Sequence, residues 1–168
     1  MPEPVAADLS LLEHPVTASN LRLTIAPAMV RFALRARDPA LLSSVIGRPV
    51  PARIGDVEDG VACLGPDEWL ALLPAGTELD TGSGKPVSVV DVSSRSVGIK
   101  IEGPGAVALV ATGCPLDVER MEVGRATRTV FETVEIVLWR TAPDAFHIEV
   151  WRSFAPWLCA ALMSAISL

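Results

Sequence analysis

Apolar and polar positions alternate in Leu21-Arg22-Leu23-Thr24-Ile25, which predicts a strand with one face toward water. Met29-Val30-Arg31-Phe32-Ala33-Leu34-Arg35 alternates in the same way and predicts a second strand. Asp38 then stands where a helix cap belongs, and Pro39 suits the first helical position. Leu41, Leu42, Val45 and Ile46 recur at helical spacing, and Gly47 supplies the stop. The Pro-, Gly- and acid-rich residues 48–60 read as a loop.

Val61-Ala62-Cys63-Leu64 and Trp69-Leu70-Ala71-Leu72-Leu73 are predicted strands around a Gly65-Pro66-Asp67 turn. Residues 74–86 form a loop, and strands are predicted at 87–92 and 96–102. A helix is expected from Pro104 to a stop at Gly113, then strands at 126–132, 134–140 and 146–151. Ser153 is placed to cap a last helix ending near Ser167. The stretch from Val30 to Leu42 and the stretch from Val97 to Leu109 share one pattern of alternating strand, turn with Pro and apolar helix. That predicts an α+β fold of two β-α-β-β (ferredoxin-like) units packed together. Residues 1–19 read as an N-terminal arm, and 20–168 as one domain with halves at about 20–92 and 93–168.

A chain of 168 residues can bury a core without disulfides. Half of it is apolar, 20% is charged, and mean hydropathy is +0.41. Such a balance excludes a disordered chain and implies either a large core or apolar surface covered by partners. Net charge is −6, with six basic and eleven acidic residues up to Gly84, and eight and nine after it. With no basic run, there is no electrostatic footprint for nucleic acid or anionic lipid. Cys63, Cys114 and Cys159 are widely spaced among apolar neighbours and read as small hydrophobes, which suits a cytoplasmic chain. The first residues have no basic region and no apolar core, so no signal peptide is expected, and no apolar run reaches membrane-spanning length.

Candidate chemistry is sparse. Gly82-Ser83-Gly84-Lys85-Pro86 lacks the spacing of a phosphate loop, with Leu79 and Pro86 at its key positions. Cys114 follows the negative end of a helix, the wrong end for a thiolate nucleophile. His14 and His147 have no Cys or His at metal-ligand spacing. Asp67 and Glu68 are adjacent, so in a strand they face opposite ways. No catalytic, cofactor-binding or metal-binding residue is therefore assigned. Arg140 and Arg152 end strands beside Trp139 and Trp151, and Arg with Trp is a common interface anchor. The last sixteen residues carry no charge, and a helix apolar on all sides is normally buried on all sides. Candidate partner contacts are thus Arg140, Arg152, Phe154 and Trp157.

Five words occur in order between about 60 and 160: Leu64-Gly65-Pro66-Asp67-Glu68-Trp69-Leu70, Val90-Asp91-Val92-Ser93-Ser94-Arg95, Gly113-Cys114-Pro115-Leu116-Asp117, Val137-Leu138-Trp139-Arg140 and Val150-Trp151-Arg152-Ser153-Phe154. Together they resemble the gamma subunit family of heterotetrameric sarcosine oxidase. The resemblance implies an accessory subunit without catalytic residues, in a complex that demethylates sarcosine and passes the one-carbon unit to tetrahydrofolate. It implies alpha, beta and delta partners, with FAD, FMN and NAD on the two larger ones and zinc on the smallest. It also implies a fold similar to part of the folate-dependent aminomethyltransferases. Related complexes act on other N-methylated amino acids. The alternative is a stand-alone folate-binding or one-carbon transfer protein, although no residue here matches the aminomethyltransferase folate acid.

Overall fold

A computed structural model describes residues 16–18 and 20–166. The expected arm up to residue 15, with His14, lies outside the described residues. In chain order the elements are β1 (Val16–Ala18), β2 (Leu21–Ile25), β3 (Met29–Ala36), α1 (Pro39–Ile46), β4 (Val57–Glu58), β5 (Val61–Gly65) and β6 (Glu68–Pro74). There follow β7 (Val87–Asp91), β8 (Ser96–Glu102), α2 (Ala106–Ala111), β9 (Ala126–Phe131), β10 (Val134–Ala142), β11 (Ala145–Trp151) and α3 (Ala155–Ile166). The strands make two antiparallel sheets, ordered β1-β2-β8-β11-β10-β9 and β4-β5-β6-β3-β7.

The order strand, helix, returning strands occurs twice. After β3 and α1 the chain returns through β5 and β6, and β6 pairs with β3. After β8 and α2 it returns through β9, β10 and β11, and β11 pairs with β8. The strand before each unit crosses over: β2 pairs with β8, and β7 pairs with β3. The six-stranded sheet therefore contains strands from both halves, which ties the halves together by backbone hydrogen bonds, while the five-stranded sheet is built wholly from the first half.

Alternation assigns the faces. On β3, Phe32, Leu34 and Ala36 pack with Leu42, Val45 and Ile46 of α1 and with Val61, Cys63, Trp69, Ala71 and Leu73. On the six-stranded sheet, Leu23, Ile99, Ile101, Ile136, Leu138 and Ile148 pack under Leu109 and Val110 of α2 and Leu158, Cys159 and Leu162 of α3. Burying each large apolar side chain contributes about 1.5–3 kcal/mol. The opposite faces of the two sheets meet, with Ala62, Leu72, Ala126 and Trp139 buried between them.

The helix ends show where the local expectations hold. Asp38 Oδ1 accepts from Ala40 N at 2.9 Å, and Gly47 ends α1 in the left-handed region at φ 66°. The second helix is shorter than the predicted 104–113, and Gly113 is not its left-handed stop, because the cap is Thr112 at φ −63°. Gly113 is small for another reason: a Cβ there would lie 2.6 Å from the Phe131 ring. The third helix begins two residues after Ser153. The Phe154 carbonyl accepts its first bond, from Leu158 N at 3.0 Å, and Ser153 sits in the preceding turn. Residues 57–58 of the expected loop form the short β4 against β5.

Candidate functional site

Every second residue of the facing strands points into the seam between the sheets. Most are apolar, but β3 sends in Arg31 and β11 sends in His147 and Glu149. Arg31 holds Glu149 with two bonds, Nε to Oε2 at 2.5 Å and Nη2 to Oε1 at 3.0 Å. His147 Nε2 lies 2.6 Å from Glu149 Oε1. The His147 and Glu149 side chains are 7% and 3% exposed, so these bonds are shielded from water. Burial alone would push the Glu149 carboxyl up, yet hydrogen bonds from His147 and Arg31 outweigh it and hold the group below the usual carboxylate range. Gly98 makes room for the cluster: a Cβ there would lie 2.7 Å from His147 Cε1 and 2.9 Å from Glu149 Oε1.

The segment after β7 is tied to the same cluster. Arg31 N donates to Ser93 Oγ at 2.9 Å, and Ser93 N donates to Asp91 Oδ1 at 2.8 Å. Ser94 O accepts from Arg152 Nε at 3.0 Å, and Arg95 stacks 4.4 Å above the Trp151 ring. The word Val90-Asp91-Val92-Ser93-Ser94-Arg95 thus connects the seam to the end of β11. There an aromatic corner forms. Trp151, Phe154 and Trp157 are 44%, 46% and 41% exposed, and the first two rings sit 6.3 Å apart. On α3, Ala155, Leu158, Cys159 and Leu162 are buried, while Trp157, Ala160 and Ser164 are exposed.

Of the predicted partner contacts, Arg152 and Phe154 lie at this corner, with Trp157 on the first turn of the adjoining α3. Arg140 does not. It pairs with Phe146 at the far end of β11, about 17 Å along the strand from Trp151. Its Nη1 donates to the carbonyls of Val118, Glu119 and Met121, its Nη2 donates to Pro143 O at 2.7 Å, and its guanidinium lies over the Phe146 ring. Sequence reasoning passed over Arg31 and Glu149. Their signal was present: Phe146, Ile148 and Val150 claim one face of β11, which leaves His147 and Glu149 together on the other.

Two clefts open along the seam. One, of about 350 Å³, is lined by Arg35, Glu68, Arg95, Arg128, Glu149 and Trp151 among others. Arg128 forks onto both Glu68 oxygens, and Arg35 bridges Glu68 and Asp67 at 3.2 Å each. Hydrogen bonding to Arg128 holds the Glu68 carboxyl low and pushes the Arg128 guanidinium up. The other, of about 460 Å³, is mostly apolar and includes His147.

The remaining candidates have structural settings. All three cysteines are free and buried, and burial pushes the Cys159 thiol up to about 11 and the Cys63 thiol upward as well. Cys114 Sγ sits 3.8 Å from Thr129 Oγ1. Gly82-Ser83-Gly84-Lys85 leads into β7, a strand, and not into the helix that a phosphate loop opens. Among the described residues, no three His, Cys, Asp or Glu side chains are grouped to hold a metal ion, and no helix is long and apolar enough to cross a membrane.

Comparison with known proteins gives this geometry a context. The sarcosine oxidase, gamma subunit family matches residues 35–167. A sarcosine oxidase subunit gamma from Arthrobacter sp. is 31% identical over 121 residues, which cover 65% of this chain and 60% of that protein. The match thus spans about three fifths of that relative's length. A chain of heterotetrameric sarcosine oxidase from Corynebacterium sp. U-96, in complex with pyrrole 2-carboxylate, superposes with a TM-score of 0.82 at 26% identity. The superposition covers 91% of this chain and 87% of that one. The glycine cleavage system aminomethyltransferase T from Bartonella henselae shares the fold, with a TM-score of 0.66 at 15% identity over 86% of this chain and 45% of that one. By its matched residues and its two-sheet architecture, the chain belongs to the sarcosine oxidase gamma subunit family.

Proposed function

We propose that this chain is a non-catalytic accessory subunit of a heterotetrameric, flavin-dependent oxidase of sarcosine or another N-methylated amino acid. The observation that carries this reading is the fold shared, over 91% of the chain, with a chain of heterotetrameric sarcosine oxidase. In this reading the chain braces partners of the alpha, beta and delta kinds in the cytoplasm. Those partners hold FAD, FMN, NAD and zinc, and the released one-carbon unit passes to tetrahydrofolate. The repeated strand–helix–strand–strand order fits two ferredoxin-like units fused into one domain. The aromatic corner at Trp151, Phe154 and Trp157, flanked by Arg152, supplies the docking face. Exposed aromatic rings beside arginine are the chemistry of interface anchors.

Affinity purification of the tagged chain from its native cell tests the proposal. Two flavin-bearing chains and a small zinc protein in fixed ratio are the expected companions. A folded chain that emerges alone would overturn it and favour a stand-alone folate-binding or one-carbon transfer protein. At the corner, assembly that is unchanged in Arg152→Ala would remove that residue from the interface.

A further inference from the structure

The larger cleft has a built floor. Trp139, His147 and Lys100 face it from three adjacent strands: Trp139 pairs with His147 between β10 and β11, and His147 pairs with Lys100 between β11 and β8. Neighbouring strands lie about 4.8 Å apart, so the three side chains form one row. The indole meets the imidazole edge-on, with centroids 6.4 Å apart at 70°. Met29 and Leu72 add apolar wall from the second sheet, and Glu102, two positions from Lys100 on β8, also lines the cleft.

The polar groups of the row are poised differently from those elsewhere in the seam. Glu149 is fully engaged by Arg31 and accepts the hydrogen on His147 Nε2. A neutral imidazole with its hydrogen on Nε2 has a lone pair on Nδ1. Among the described residues Nδ1 has no hydrogen-bond partner, although the side chain is more than nine-tenths buried and lines the cleft. Lys100 has no ion pair among the described residues, and neither has Glu102. An acceptor nitrogen held in orientation by a carboxylate, an ammonium beside it and an aromatic wall make a recognition set. It requires an anion, a hydrogen donor next to that anion, and an apolar body.

We propose that this cleft binds a small carboxylic acid with an apolar side chain and a hydrogen donor on its α-carbon. The carboxylate lies on Lys100, the α-donor points at His147 Nδ1, and the side chain packs on Trp139, Met29 and Leu72. Glu102 disfavours acids with a second negative charge. The α-donor is a hydroxyl or an ammonium. The two make the same contact, and Glu102 favours the ammonium.

The chain has two histidines, so its imidazole signals can be resolved by NMR in the full-length protein. The probes are 3-phenyllactate, phenylalanine and 3-phenylpropionate, the last lacking the α-donor. Saturable shifts of the His147 ring are expected with the first two, and whichever binds more tightly identifies the donor. The third is expected to bind about tenfold more weakly, the size of one hydrogen bond. Lys100→Met is expected to weaken the first two about tenfold as well. No saturable shift in wild-type protein at millimolar probe would overturn the site. Equal binding of 3-phenylpropionate would overturn the role of His147, and shifts unchanged in Lys100→Met would overturn that of Lys100.

Discussion

The seam at Glu149 and the corner at Trp157 invert each other. In the seam, polar and charged groups are buried, and Glu149 is answered within the chain by Arg31 and by His147 Nε2. At the corner, large apolar rings are left more than two fifths exposed, with Arg95 stacked over Trp151. Burial of a charge is tolerated when its partners arrive with it. Exposure of three large rings together is unfavourable in water unless something outside the chain completes it. The seam therefore reads as a folding device and the corner as a docking device, and each can be broken without the other.

The largest effect is expected in the seam. Glu149→Ala leaves the Arg31 charge buried and unanswered, and destabilises by about 3–5 kcal/mol, read from urea midpoints. The pH dependence follows from the depressed Glu149 carboxyl. Its contribution is fully present above the unfolded carboxylate value, about 4.3, and is lost as pH falls through the folded value. Wild type is therefore expected to lose stability on acidification more steeply than Glu149→Gln. Identical slopes would mean that the buried carboxylate contributes nothing specific.

The corner is expected to behave in the opposite way. Trp157→Ala should leave the chain's own unfolding within about 0.5 kcal/mol, as surface changes usually do. It should weaken association with the proposed partners by about 2 kcal/mol, roughly thirtyfold. A large loss of stability in the isolated chain would show that Trp157 belongs to the internal core and would collapse the contrast.

Gly98→Ala is a finer probe of the seam. The new Cβ would meet Ala26 Cβ at 2.8 Å as well as His147 and Glu149. The cluster must shift, at a cost of about 1–3 kcal/mol. A neutral result in thermal unfolding would show that the His147 and Glu149 side chains give way easily there.

Legibility in the sequence followed the range of the interactions. Caps and alternation are local, so Asp38, Gly47 and most strands could be read within a few residues. Gly113 misled because its constraint is Phe131, which the chain brings back eighteen positions later. The seam was harder still. Arg31 and Glu149 lie 118 residues apart, and alternation alone cannot reveal that the polar face of one strand meets a second sheet. The pairing of β2 with β8 of the second half leaves no local mark either, since β2 is an ordinary strand until its partner is known. Arg140 and Arg152 looked alike because each follows a Trp, yet one binds carbonyls of the connection between α2 and β9 and the other reaches the corner.

The smallest expected effect lies where seam and solvent meet. Arg128 on β9 and Glu68 on β6 join the two sheets, as Arg31 and Glu149 do, with the same forked geometry. The difference is water: the Arg128 side chain is 39% exposed, so screening removes most of its Coulomb energy. Arg128→Ala is therefore expected to cost about 0.2–1 kcal/mol, and less at 1 M salt, where the Debye length falls to about 3 Å. Glu149→Ala should be nearly indifferent to the same salt. If the two variants lost equal stability with equal salt dependence, depth of burial would not distinguish the pairs, and the seam would be only another surface of the fold.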